Sequence, residues 1–197
     1  DKKKFAGNFG ITGCFSMHPL KNLNVWGDGG IITTNDQKIY KKIKLLRNHG
    51  LTSRDNCKIY GFNSRLDTIQ AAILLAKLDI LDVEIEERKN VAFRYNERLE
   101  KKSLIKTPVL IEGTSSAWAQ YTVRLKNRSR LQEELAKAGI PTMVHYPMPL
   151  SEQPSVARNA VVPHSETASH EVLSLPVFGT LDLKQQNKII EAIENFG

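Results

Sequence analysis

Apolar residues recur at helical spacing for an unusually long stretch in the middle of this chain. Leu66, Ile69, Ala72, Ile73, Ala76 and Ile80 follow a capping-box variant, Ser64-Arg-Leu-Asp67, and the pattern continues through Val83 to Tyr95 and Leu99. A helix of that length outruns the core of one small domain, so the pattern predicts a helix that joins two domains. We place the change inside it, with residues 1–88 in one domain and 89–197 in the next.

The segments on either side differ in kind. On the N-terminal side, Ile11-Thr-Gly-Cys-Phe-Ser16 and Gly30-Ile-Ile-Thr-Thr34 are short, apolar and bounded by glycine, which suits two buried strands. Asp36 is placed to cap an amphipathic helix over Lys38–Arg47, closed by Gly50. On the C-terminal side, Tyr121, Val123 and Leu125 alternate with Gln120, Thr122 and Arg124, the signature of a half-exposed strand. Ser129-Arg-Leu-Gln132 opens a helix with a Leu131–Leu135 stripe that ends at Gly139, and Thr142–Tyr146 reads as strand. Helices over Ser165–Leu173 and Leu183–Glu194 flank the loop Leu175–Gly179. The expected architecture is α/β, followed by a smaller α+β unit.

Composition narrows the functional classes. With 41% hydrophobic and 25% charged residues the chain is ordinary globular material. Its formal charge of +7 suits an anionic partner, but the cations spread along wet helix faces such as Lys38–Arg47. No RNP-like motif, zinc-finger spacing or basic heptad accompanies them, so no nucleic-acid partner is expected. No apolar stretch is long enough to cross a bilayer, and Asp1-Lys-Lys-Lys-Phe begins no secretory signal. The expectation is a cytoplasmic protein without a membrane partner. Cys14 and Cys57 are in no metal-ligand spacing, which predicts reduced, partly buried thiols and no metal.

Chemistry concentrates at Lys21. It follows a strand and a proline that fixes the backbone two residues earlier, and it falls in the connection between the two strand candidates. A lysine enclosed there becomes a nucleophile toward an aldehyde; a lysine in an open turn is simply solvated. Ser16 reads either as a phosphate-binding hydroxyl or as an ordinary strand end, and Asn63 as an anion donor or a helix cap. His18, beside the lysine, lines a site or is held by local packing. Gly27-Asp-Gly-Gly30 lacks the spacing of a dinucleotide or phosphate loop and reads as a turn.

Four runs occur in order: Cys14-Phe-Ser-Met-His-Pro-Leu-Lys-Asn-Leu23, Gly27-Asp-Gly-Gly-Ile-Ile-Thr-Thr-Asn35, Leu45-Leu-Arg-Asn-His-Gly50 and Gly61-Phe-Asn-Ser-Arg-Leu-Asp-Thr-Ile-Gln-Ala-Ala72. Together with Gly139-Ile-Pro-Thr-Met-Val-His-Tyr-Pro-Met-Pro-Leu150 and Leu173-Ser-Leu-Pro176, they make the chain resemble the DegT/DnrJ/EryC1/StrS family of pyridoxal-phosphate-dependent sugar aminotransferases. The resemblance implies transferase fold type I, like aspartate aminotransferase, with the end of a large domain followed by the C-terminal α+β small domain. It implies that Lys21 holds pyridoxal phosphate as a Schiff base and that Ser16 binds the cofactor phosphate. It implies that Asn63 reaches that phosphate from the neighbouring subunit of a homodimer, and that His18, His145 and Tyr146 contact substrate. The implied reaction converts a keto sugar, nucleotide-linked, to an amino sugar for polysaccharide or amino-sugar biosynthesis, with glutamate as amino donor.

Members of the family carry a long portion ahead of these motifs, with the aspartate that pairs with the pyridine nitrogen and the residue that stacks on its ring. Asp1 stands too close to the lysine motif to be that aspartate. The chain is therefore expected to be the C-terminal part of an aminotransferase. The alternative is a catalytically incomplete piece that serves only in binding or oligomerisation.

Overall fold

The computed structural model describes residues 4–156 and 160–197, so Asp1 lies outside the described residues. The chain divides into two units, residues 1–81 and 82–197.

The first unit begins with β1 (Thr12–Ser16) and β2 (Gly30–Thr34), antiparallel, with Thr12 opposite Thr34 and Ser16 opposite Gly30. Both strands form where the β-branched and glycine-flanked runs predict, but they are largely exposed rather than buried. Next comes α1 (Gln37–Leu46), whose N-cap Asp36 accepts from the backbone N–H groups of Lys38 (2.7 Å) and Ile39 (3.1 Å). Its lysines are exposed, while Ile39, Ile43, Leu45 and Leu46 are half-buried. A short ribbon of β3 (Leu51–Ser53) and β4 (Asn56–Cys57) precedes α2 (Thr68–Leu78). The capping box that opens α2 is built on Asp67 and Gln70, not on Ser64; the Asp67 N–H donates to Gln70 Oε1 at 3.2 Å. Among the described residues of this unit, Met17, Val25 and Leu74 form the buried cluster, with Phe15, Leu23 and Leu66 against it.

The single long helix read from the sequence is two helices. After α2 the chain turns at Asp79–Ile80, and α3 (Leu81–Leu99) starts afresh. Asp82 and Glu84 lie in the first turn of α3, where carboxylates favour the positive end of a helix, so the acidic residues mark a start that apolar spacing alone conceals.

In the second unit, Val91, Ala92, Tyr95 and Leu99 on α3 face a core of nineteen buried side chains among the described residues. The expected alternation holds: Tyr121, Val123 and Leu125 are buried and face that core from and just beyond β5 (Tyr121–Arg124). α4 (Arg128–Lys137) contributes Leu131 and Leu135, both fully buried, and Gly139 takes a φ of 71° just beyond it. No side-chain cap from Ser129 opens this helix; Asn127 is at the N-cap. α5 (Pro163–Glu171) ends two residues earlier than read from the sequence, because Val172–Leu175 forms β6, antiparallel to β5. The β-branched and leucine side chains of that run fit a buried strand as well as a helix end, and pairing with β5 decides it. Thr142–Tyr146 is not a strand but touches the edge of β6 through one bridge, Met143 to Ser174. α6 (Leu183–Glu194) closes the unit with Ile189, Ile190 and Ile193 buried, and buried Gln186 donates from Nε2 to the Val91 carbonyl at 2.7 Å. Each fully buried leucine or isoleucine here contributes about 1.5–3 kcal/mol.

Candidate active site

The connection between β1 and β2 is tied at its base. The Met17 N–H donates to the Gly29 carbonyl (2.8 Å) and the Val25 N–H to the Met17 carbonyl (3.1 Å), while Met17 and Val25 bury their side chains with Leu74. Gln70 Nε2 holds the return limb through the Asp28 carbonyl at 3.1 Å. Residues 18–24 are thereby lifted as a small closed loop. Within it the His18 N–H donates to Ser16 Oγ (3.3 Å), the Leu20 N–H to His18 Nδ1 (3.2 Å) and the Lys21 N–H to the His18 carbonyl (2.9 Å). Asn24 Nδ2 donates to the Lys21 carbonyl at 2.9 Å.

Ser16, His18 and Lys21 are thus brought together by one hydrogen-bonded turn. Ser16 Oγ already accepts a bond, so its hydroxyl proton is available to an incoming anion. With Nδ1 of His18 an acceptor, a neutral imidazole carries its proton on Nε2 and can donate from that side. The Lys21 backbone is held at both N–H and C=O, and its side chain projects from the turn. The enclosure considered from the sequence is not formed by the described residues: Ser16, His18 and Lys21 are all exposed. An amine and a hydroxyl donor on one pinned loop are groups that suit a phosphorylated aldehyde, so these residues fit pyridoxal phosphate.

Asn63 belongs to a different local structure. The His49 N–H donates to the Phe62 carbonyl (2.8 Å), the Phe62 N–H to the Leu46 carbonyl (2.7 Å) and the Ser64 N–H to the Arg47 carbonyl (2.9 Å), so residues 61–64 form a strap across the end of α1. Asn63 bridges Asn48 there and does not open a helix, since Asp67 does that. Gly50 makes the strap possible: its φ is 72°, and a β-carbon there would overlap the Ile59 carbonyl. Cys57 Sγ donates to the carbonyls of His49 (3.3 Å) and Ile59 (3.2 Å) at the same place. Both cysteines are free, as read from the sequence, but exposed rather than partly buried.

His145 and Tyr146 belong to the second unit. His145 is half-buried and lines a groove of about 270 Å³ with Gln120, Thr142, Ser174, Pro176 and Val177; Tyr146 is exposed, its ring edge-on to that of His145. Groups of His, Cys, Asp or Glu able to hold a metal are absent among the described residues. No helix is long and apolar enough to cross a membrane among them.

Two residues near these sites went unnoticed in the sequence. Trp26, just after the lysine loop, takes a φ of 57° and is 75% exposed. Arg88 is half-buried and donates to the carbonyl of Val177, which lines the groove. Nothing in composition or periodicity distinguishes either from its neighbours.

A family model described as the DegT/DnrJ/EryC1/StrS aminotransferase family matches residues 1–194. The chain belongs to this family. A UDP-2-acetamido-2-deoxy-3-oxo-D-glucuronate aminotransferase of Pseudomonas aeruginosa is 43% identical over 195 residues, covering 98% of this chain and 54% of that protein. The crystal structure of a DegT DnrJ EryC1 StrS aminotransferase from Brucella abortus, 40% identical, superposes with a TM-score of 0.86 over 96% of this chain and 52% of its own. S. venezuelae DesV, solved in complex with a ketimine intermediate, is 34% identical with a TM-score of 0.88, over 95% of this chain and 52% of that one. The chain therefore spans about half the length of the relatives it matches. Its architecture is that of the family's fold type I, the end of the large domain followed by the α+β small domain.

Proposed function

We propose that this chain belongs to a pyridoxal-phosphate-dependent aminotransferase that converts a nucleotide-linked keto sugar to an amino sugar, with glutamate as amino donor. The observation that carries the reading is the Ser16–Lys21 turn, in which His18 links the Ser16 hydroxyl to the backbone of Lys21 through successive hydrogen bonds. Pyridoxal phosphate, when bound, supplies an aldehyde to take up the amino group and a ring to accept electrons. Lys21 is the residue that holds it, and Ser16 Oγ donates to its phosphate. Asn63, on its strap, reaches the phosphate of a neighbouring copy in a homodimer.

Once the donor's amino group has displaced it from the cofactor, the free Lys21 Nζ would take the proton from Cα of the donor and, in the second half of the reaction, deliver one to the sugar carbon, serving as base and acid in turn. His18 orients substrate from Nε2. In the second unit His145 and Tyr146 contact the sugar, the histidine from the groove and the tyrosine from its rim. A diphosphate-bearing substrate accords with the formal charge of +7. We further propose a cytoplasmic enzyme with neither nucleic-acid nor membrane partner, whose large and small domains divide at residues 88 and 89 in α3.

The test is borohydride reduction of the whole protein that carries this chain, loaded with pyridoxal phosphate, followed by peptide mass spectrometry. The expected label is on Lys21 and is lost in Lys21→Ala. A label confined to another lysine removes the assignment.

A further inference from the structure

The groove that holds His145 lies where the β5–β6 ladder opens. The last registered pair at that end is Tyr121 opposite Leu175. Beyond it, Ala119 and Gln120 line the groove on one side, and Pro176 and Val177 on the other. One nitrogen spans the gap from below: Arg88 Nη1 donates to the Val177 carbonyl at 2.7 Å and to the Trp118 carbonyl at 3.4 Å. Two turns further along the same face of α3, the Tyr95 hydroxyl donates to the Pro176 carbonyl at 2.9 Å. Trp118 is itself held at a φ of 45°, a strained conformation for a tryptophan, and is 3% exposed.

This is a costly way to fasten two segments. Burial penalises the Arg88 guanidinium and lowers its pKa, an effect Glu84 only partly offsets. Its Nε is buried without a hydrogen-bond partner among the described residues. The charge is spent on neutral carbonyls. An apolar side chain of similar length would fill the space without stranding a polar atom, so packing alone does not account for an arginine here. What an apolar residue cannot do is fix the separation of two backbone segments that have left their ladder.

We propose that Arg88 is a positioning residue that sets the width of the groove, and thereby the binding of the sugar part of the substrate against His145 and Gln120. The inference rests on the aminotransferase reading above. Its action is indirect: Arg88 is not among the groove's lining residues but donates to the carbonyls of Val177, which lines it, and of Trp118, next to lining Ala119, and a shift of those segments misplaces the polar groups facing the sugar.

The test uses the whole protein carrying Arg88→Met, Arg88→Lys or the native arginine, assayed with a keto-sugar nucleotide and by hydrogen exchange of the segments 117–121 and 174–178. In Arg88→Met, KM for the keto sugar rises about tenfold while kcat stays within about twofold, and both segments exchange faster. Lysine reaches one carbonyl but not both, so Arg88→Lys gives a KM between the two. A KM equal to the native value in Arg88→Lys overturns the proposal, and this variant decides alone if Arg88→Met does not fold. Unchanged exchange in both segments, or a fall in kcat as large as the rise in KM, overturns it as well. If the native protein neither binds nor aminates keto-sugar nucleotides, the functional reading fails instead, and the exchange data still decide whether Arg88 holds the two walls.

Discussion

Tyr95 and Tyr121 show what burial does to a single residue. Their rings stack in a tilted pair with centroids 4.9 Å apart, and both hydroxyls find partners inside the second unit, the Pro176 carbonyl and Asn96 Oδ1. Desolvation is the main reason that both phenols are pushed far above the usual tyrosine range, with Glu100 adding to the effect on Tyr121. The folded state thus keeps protons that the unfolded chain releases above about pH 10. Their stabilisation is therefore complete below that pH and declines as pH rises beyond it. Absorbance titration in the near ultraviolet will show two of the five tyrosines ionising only as the fold opens. More than three phenols ionising before any loss of structure would contradict the buried pair. At this scale the sequence was informative for Lys21, Ser16 and His18, whose neighbours in the chain are also their neighbours in space. It was silent on Arg88 and Trp26. A lone arginine in a charge-rich helix carries no mark of which carbonyls, 30 and 89 residues further along, it will meet.

Among elements, α1 gives the cleanest local test. Asp36 satisfies two N–H groups of its first turn, and no acidic residue in that turn can substitute. Asp36→Ala will weaken the helix by about 1 kcal/mol, seen as faster amide exchange at Lys38 and Ile39, while Asp36→Asn stays close to the native protein. Equal exchange in all three would mean that packing, not the cap, holds the turn. Helices were the most legible elements because their periodicity is internal: α1, α4 and α6 are found where spacing and flanking residues put them. The misreadings have two causes. The β6 segment taken as the end of α5 and the Thr142–Tyr146 run depend on what lies opposite, which apolar spacing does not encode, whereas the join of α2 and α3 is marked locally by Asp82 and Glu84 and hidden only from apolar spacing. The Ser64 and Ser129 boxes failed because a motif of four residues occurs more often than a helix start.

As a whole, the molecule distributes its burial unequally. Among the described residues, the second unit encloses nineteen apolar side chains in one cluster, and the first encloses three. Large side chains remain open in the first, including Phe62 at 70%, Ile69 at 71% and Tyr60 fully exposed. Residues 82–197 expressed alone will give a cooperative thermal melt, whereas residues 1–81 alone will melt without a defined transition and bind a hydrophobic dye. A cooperative melt from the smaller piece would show that its few buried contacts suffice. Fold class and the order of the halves were legible from the motifs, which recur over nearly the whole chain.

The exposed thiols put chemical addresses on the two parts of the proposed cofactor site. Cys14 is two residues before Ser16 on the ribbon that raises Lys21, and Cys57 is hydrogen-bonded to the backbone next to the Asn63 strap. With no third cysteine in the chain, a single substitution at either one leaves a solitary attachment point for a fluorophore or spin label. The lysine loop and the asparagine strap can then be followed separately.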